Sequence, residues 1–485
     1  MTAEHNLLVI SDLHLGEDLN SGPHAPPGSA ESPVSQTERA LTAFLVHYTA
    51  FRQEGLPWRL VCNGDMVDFL SVALSPEEAG IEGTEDDRTF GFGATCVAAR
   101  AKLVRVIERH HAFFVALARF VGRGNEVHLV VGNHDAELHW EAVQADISAA
   151  LDRIWQAETG SSDLVSPRVT FHPWFYYDPG VAWIEHGHQY DPFCSFEDLL
   201  APEDPDNPQS LEENLGTAAM RYLGNHLPVN PDATADLSFV EYLHLIMNAR
   251  HDDAFKFAGG YAAVVRALGS QWLKRFRDPE KFKARREQRK ARMREIAVSV
   301  GLRAGTLERL HRLRRPPVYL DFLAFIRSVM LGRLLTTVAL LALIPFLMPL
   351  LAFPYNVGFA FVGVVLVALI HVWLASGRDN VDPTEQMRKV AGKIRRIVRA
   401  PVVVFGHSHI PLAHRLLGNG WYFNTGSWAG GSERDLAFTH LVVLRRRGRV
   451  RSALCRWHAG ESRELRAEES RMGPIGHEPE LSAGY

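Results

Sequence analysis

Asp12 with His14, Asp65, the run Asn133-His134-Asp135, His186, and His407 with His409 are the residues of this chain whose types and spacing could do chemistry. Together they offer carboxylates, several imidazoles and an amide carbonyl. That nitrogen and oxygen set suits manganese, iron, zinc or nickel and is poor for calcium or magnesium. One intervening residue in Asp12-x-His14 and in His407-x-His409 lets an irregular loop turn both side chains to one place. Glycines at 64, 132, 187 and 406 would let backbone approach bound ions closely. Taken singly, each residue has an ordinary explanation: an Asp after a strand caps a helix, a Gly-Asp makes a turn, and a buried His is held by hydrogen bonds. The case rests on all of them occupying equivalent places along the chain.

Those places are the ends of apolar runs. Asp12 and His14 follow LLVIS, Asp65 follows LVCN, the Asn133 run follows HLVV, His186 follows VAWIE, and His407 and His409 follow VVVF. In an open α/β sheet the loops beyond the carboxyl ends of the strands build the site. Between the first two runs, Ser35 and Glu38 form a capping-box pair ahead of the helical pattern ALTAFLVHYTAF, closed by Gly55 and Pro57. One continuous helical pattern over residues 96–120, ended by Gly122 and Gly124, feeds EVHLVV. The later runs VTFHPWFYY, VAWIEHG, VVVFGHS, WYFNTGS and THLVVLRRRGRVRSALCRW read as strands, with hairpins across the PG and RG turns. The expectation is an α/β domain with a sheet-rich second half.

Composition sets the outer limits. At roughly 150 residues per domain, 485 residues allow about three domains, and 46% hydrophobic residues exclude a disordered chain. Four scattered cysteines without a CxxC exclude a disulfide framework and favour a reducing compartment. A net charge of -4 implies no polyanionic partner for the chain as a whole. From 334 to 377 there is no Asp, Glu, Lys or Arg, and two apolar runs flank a short FPYN break. Each run approaches the roughly 20 residues that span a bilayer, so a two-helix membrane hairpin is expected. Residues 274–333 carry 18 Lys/Arg against 6 Asp/Glu, which places both ends, and hence the chemistry, on the cytoplasmic face of the cell (inner) membrane. The segment VYLDFLAFIRSVM ahead of it reads as interfacial.

The motifs DLH, GD, GNHD, HG and GHSH, in that order, resemble those of the calcineurin-like metallophosphoesterase superfamily, and Asn424-Thr425-Gly426-Ser427 resembles the NxGS strand end that follows its GHxH. The resemblance covers residues 1–191 and 400–458. It implies a four-layer α/β sandwich, with two mixed β-sheets flanked by helices, and two divalent metal ions, manganese first. Asp12, His14 and His409 would hold one ion, Asn133, His186 and His407 the other, and Asp65 would bridge them. His134 would face the phosphate and stabilise or protonate the leaving oxygen, with Asp135 orienting its ring. His188 is a second-shell or substrate group, and the order of His186 and His188 stays open. SDLHLG is also distantly similar to the UDP-diacylglucosamine hydrolases, though those enzymes usually have Arg where His134 stands.

The implied organisation is a catalytic domain in two parts, 1–191 and 377–458, interrupted by a helical insertion with a basic segment (192–333) and the membrane hairpin (334–376), and followed by a flexible tail (459–485). The expected function is a membrane-anchored phosphoesterase hydrolysing a phosphate ester or pyrophosphate, lipid-linked in its most attractive form. A tethered phosphodiesterase or nuclease for soluble nucleotides is the alternative, and a silent membrane scaffold is a third reading that the intact ligand set opposes. The stretch KRFRDPEKFKARREQRKARMR reads either as a solvated helix face or as a contact for anionic lipid head groups. No nucleic-acid-binding motif accompanies it.

Overall fold

The computed structural model describes residues 4–16, 33–226, 251–321, 324–325, isolated positions between 355 and 369, 383–429, 437–446 and 449–465. Strands alternate with helices as the apolar runs predict. A seven-stranded sheet has the order β12-β11-β10-β1-β2-β3-β4, and a five-stranded sheet the order β5-β6-β7-β9-β8. In the first, β1 (Asn6–Ile10), β2 (Trp58–Asn63), β3 (Glu126–Val130) and β4 (Val169–His172) run parallel. The antiparallel strands β10 (Thr439–Arg446), β11 (Arg449–His458) and β12 (Glu461–Glu464) extend its other edge. In the second, β6 (Ala182–Glu185), β7 (Val402–Phe405) and β9 (Gly420–Asn424) are parallel, and β5 (Phe175–Asp178) and β8 (Leu412–Leu416) are antiparallel edges.

Side-chain alternation explains the layering, because successive residues of a strand face opposite sides of its sheet. Leu7 and Val9 of β1 pack with Val61, Val130, Ile184, Val404 and Phe423 in a core shared by both sheets. Leu8 and Ile10 face the other way, against Leu41, Phe44, Phe114 and Leu117 of the helices covering the first sheet. Trp183 and Val403 face Met387, Val390 and Ile394 of the helix Pro383–Val398 on the outside of the second. Helix, sheet, sheet and helix follow one another, an order compatible with a four-layer sandwich.

Four local expectations change. The tail expected from 459 begins later, because Glu461–Glu464 form β12, paired antiparallel with β11 at the edge of the first sheet. The pattern over 96–120 is two helices, Cys96–Arg109 and His111–Gly122, broken at His110. The buried His110 ring sits 2.9 Å from the Gly16 carbonyl, so packing under the first site loop interrupts the helix where no Gly or Pro warned of it. The first helix begins at Pro33, two residues before Ser35, so Ser35 does not cap it. VTFHPWFYY is two strands in different sheets: the chain crosses between the layers at Pro173 and Trp174.

In the insertion, the basic stretch forms the end of the helix His251–Arg277 and most of the helix Pro279–Ser299. Its inner face is paired rather than bare. Lys274 reaches Asp204 at 2.6 Å, Arg285 reaches Glu212 at 2.6 Å, and Arg289 reaches Asp198 at 2.9 Å. Arg277 and Lys281 converge on Asp206 nearer the surface. The acidic loop before the helix therefore takes up much of the charge of that stretch. Residues 334–376 lie outside the described residues apart from isolated positions, and among the described residues no helix is long and apolar enough to cross a membrane.

Candidate metal centre

All five strand ends named above meet at one edge of the two sheets. Asp12 and His14 leave β1, Asp65 leaves β2, Asn133 leaves β3, His186 leaves β6, and His407 and His409 leave β7. Five of these residues adopt left-handed backbone: Asp12 (φ 55), His14 (φ 47), Asp65 (φ 52), His407 (φ 67) and His409 (φ 57). For a side chain with a Cβ such a conformation costs of order 1–3 kcal/mol. Five together make up a sizeable share of the 5–15 kcal/mol by which an ordinary protein is stable, so the surrounding structure must enforce them. Much of that enforcement comes from the strand end after β9. The Asn424 amide donates to the Gly406 carbonyl at 2.7 Å, Ser427 Oγ donates to the Asp12 carbonyl at 3.0 Å, and Trp428 N donates to the same carbonyl.

Two of the glycines have a demonstrable reason. A Cβ on Gly132 would stand 2.1 Å from Asp65 Oδ1, and one on Gly406 would stand 2.6 Å from Asp12 Oδ2. Backbone closes on the two carboxylates here.

The side chains form two overlapping groups that share Asp12: Asp12, His14 and His409, and Asp12, Asp65 and His186. His14 Nε2 is 3.1 Å from His409 Nε2, which is 3.2 Å from Asp12 Oδ1. His186 Nε2 is 3.1 Å from Asp65 Oδ2 and 3.2 Å from Asn133 Oδ1. Asp65 Oδ2 also lies 4.0 Å from His14 Nε2, so one oxygen faces both groups, while Asp65 Oδ1 accepts from His134 N at 2.8 Å.

Whether these residues fit divalent ions can be decided from their lone pairs. His186 Nδ1 lies 2.9 Å from the Asn63 carbonyl, which only accepts, so Nδ1 carries the proton. Neutral His186 then presents a bare Nε2 to two further acceptors, Asp65 Oδ2 and Asn133 Oδ1. His14 repeats the pattern, its Nδ1 facing Asp68 Oδ2 at 3.3 Å and its Nε2 facing His409 Nε2. Acceptors crowding one point call for positive charge between them, a proton or a metal ion, and ligand atoms held at about 2.1 Å from one ion stand about 3 Å apart, the spacing seen here. The residues fit. The field at this point draws positive charge: burial works against a charged His186, yet Asp65 and then Asp12 push its pKa up to about 9, so without an ion a proton on Nε2 takes the place that a metal would fill. Burial likewise opposes ionisation of Asp65, and His186 and His134 hold it well below the usual carboxylate range.

His407 stands apart from both groups. Its Nε2 meets Asp191 Oδ2 at 3.1 Å, with Cys194 also nearby, and its ring centroid lies 5.4 Å from that of His186. His188 is buried, and neither ring nitrogen has a hydrogen-bond partner among the described residues.

The expected partnership of Asp135 with the His134 ring is corrected. Asp135 accepts from the amides of Gly132 (2.6 Å) and Met66 (2.8 Å), joining the β2 and β3 loops. The carboxylate on His134 Nδ1 is Asp68 Oδ1, at 2.9 Å, while its other oxygen holds His14. Burial opposes the Asp68 charge, but His134 and His14 together hold its carboxyl far below the ordinary range. Asp68 was findable as a second acid three residues after Asp65. Asp191, 216 residues from His407, had no such signal. Comparison with protein-family models, with curated proteins and with solved structures returns no match.

Proposed function

We propose that the chain is a two-metal phosphoesterase of the calcineurin-like kind, hydrolysing a phosphate ester or pyrophosphate beside a membrane. The observation that carries this reading is the crowding of acceptor atoms, His14 Nε2, His409 Nε2, Asp12 and Asp65 carboxylates, His186 Nε2 and Asn133 Oδ1, at one edge of the sheets. Two divalent ions there, manganese first, with iron, zinc or nickel also suited, would supply Lewis-acid charge to the phosphate and lower the pKa of an attacking water. The chain's own residues hold and orient. Asp12, His14 and His409 would take one ion, Asn133, His186 and His407 the other, with Asp65 Oδ2 between.

His134 is the acid. Asp68 holds its Nδ1, and as an imidazolium it would protonate the oxygen of the departing alcohol. The His409 side chain is 34% exposed and that of His134 15%, against 0% for His186, so the centre is more open at His409 and His134 than at His186. No protein nucleophile is required. The apolar run at 334–377 and its basic flanks support anchoring at the cytoplasmic face.

Phosphate release by detergent-purified protein with added manganese tests the reading, across bis-p-nitrophenyl phosphate, nucleotides and phospholipid head-group esters. Turnover that Asp65→Ala abolishes supports it. A protein that binds no divalent metal and releases no phosphate from any of these overturns it. Activity confined to soluble esters would reduce the membrane segment to a tether, and deletion of 334–376 should then free the protein from membranes with its metal content intact.

A further inference from the structure

A further group able to hold an ion, Asp191, Cys194 and His407, lies beside the centre and apart from the two groups that share Asp12. His407 Nε2 and Asp191 Oδ2 stand 3.1 Å apart, and both lie within 4.8 Å of Cys194 Sγ. A hydrogen bond from His407 to Asp191 accounts for the first contact but gives the sulfur no part in it. The local chain is built to bring the sulfur there. Cys194 N and Ser195 N both donate to the Asp191 carbonyl, and Phe193 N donates to Asp191 Oδ1, so residues 191–195 close into one turn. Asp191 and Cys194, three apart, then face one point, and the Asn214 amide holds the Cys194 carbonyl at 2.8 Å. Room for the sulfur comes from the helix Leu215–Tyr222, where a Cβ on Gly216 would stand 3.1 Å from Cys194 Sγ. Cys194 is in no disulfide. The Asp191 side chain is 17% exposed and that of His407 8%, so an ion can enter from solvent and a water can complete its shell. One nitrogen, one sulfur and one carboxylate oxygen with an open fourth position make a donor set for zinc. The thiolate also separates this set from the centre, whose ligands are nitrogen and oxygen alone.

We propose that Asp191, Cys194 and His407 bind a thiophilic divalent cation, zinc before manganese, at a site of their own beside the two-metal centre. The site stands on its own donor atoms and does not require the phosphoesterase reading. His407 has two ring nitrogens and so can serve both places. Cys62, Cys96 and Cys455 join no comparable group among the described residues, so sulfur ligation in this chain reports on Cys194.

Cobalt(II) takes the ligands of zinc and absorbs in the near ultraviolet when a thiolate is one of them, so it reads the site directly. The full chain in detergent, stripped of metal, is titrated with cobalt. A thiolate-to-cobalt charge-transfer band should grow to one equivalent, and zinc should erase it where manganese does not. Cys194→Ser should never develop the band, and by elemental analysis should bind one zinc fewer than the native chain. Asp65→Ala should keep the band, since neither ion of the proposed centre has a sulfur ligand. Thermal melting of the metal-free proteins identifies a variant that has failed to fold, and the native titration needs no variant. No band at saturating cobalt overturns the proposal. A band that survives Cys194→Ser overturns it too, as does a band lost in folded Asp65→Ala, which would make Cys194 a ligand of the centre itself. A native chain that shows the band, yet binds no other metal and releases no phosphate, leaves this site standing and removes the phosphoesterase reading.

Discussion

Two regions of this molecule are dense in charge, and they are built on opposite rules. At the strand ends, acceptors face acceptors: His14 Nε2 meets His409 Nε2, and His186 Nε2 meets Asp65 and Asn133. In the insertion, cations face anions: Arg285 meets Glu212, Arg289 meets Asp198 and Lys274 meets Asp204. The second arrangement is matched in charge as it stands. The first is complete only with positive charge added from outside, and it is assembled on backbone that costs free energy to hold. Density of titratable groups therefore does not separate site from scaffold here, whereas the sign of what faces what does.

Asp65→Ala attacks the comparison where its effect is largest. It removes the oxygen that faces both groups, and we expect at least about a 10³-fold loss of turnover, together with loss of bound metal by elemental analysis. Added manganese should raise the melting temperature of the native chain and leave that of this variant unmoved, since a ligand stabilises only the state that binds it. Retention of two metals by Asp65→Ala would break the assignment.

His134→Ala comes next. A lost general acid costs typically 10²–10⁴ in rate, and here metal content should remain native. Asp68→Asn should cost less, about 10- to 100-fold, because it acts through His134 and His14 rather than on the substrate. Its signature is a combined one: slower turnover and weaker metal binding together, since one carboxylate holds both the His14 ring and the His134 ring. A variant that lost rate alone would show that the Asp68 bond to His14 does not matter.

The parts of this arrangement open to reading from sequence are those fixed by chain-local geometry. Residues after an apolar run lie at a strand end whatever the rest of the fold does, so Asp12, Asp65, Asn133, His186, His407 and His409 were all identifiable. What was hidden depends on contacts across the fold. Asp135 adjoins His134 in sequence, yet the loop turns its carboxylate back onto the Gly132 and Met66 amides. Asp68 and Asp191 gain their roles by meeting rings from other strands. The break at His110 answers to the Gly16 carbonyl from a loop 94 residues earlier, which no helical periodicity encodes. The basic stretch had the same difficulty: its charge was evident, but the acidic loop that takes up much of it lies about 70 residues upstream, in a segment with no pattern of its own.

The smallest effects test the other half of the comparison. Arg285 is 7% exposed, bonds Glu212 and also donates to the Ala201 carbonyl. Removing one partner of such a buried pair leaves an uncompensated charge, so Arg285→Met should cost about 3–5 kcal/mol. Adding Glu212→Leu should recover part of that loss, a coupling that a double-mutant cycle reads directly. Neither variant should change metal stoichiometry. Arg277 lies one helical segment away, pairs with Asp206, and has a side chain 64% exposed. Water and salt already compensate that pair, so Arg277→Ala should leave the denaturation midpoint where it is. If Arg277→Ala unfolded as readily as Arg285→Met, burial would not be what makes these pairs structural, and the basic helix would have to be held by its charge as a whole. If instead Arg285→Met were stable but emptied the metal centre, the division between a scaffold whose charges are matched and a site whose charges are not would fail at its best-packed pair.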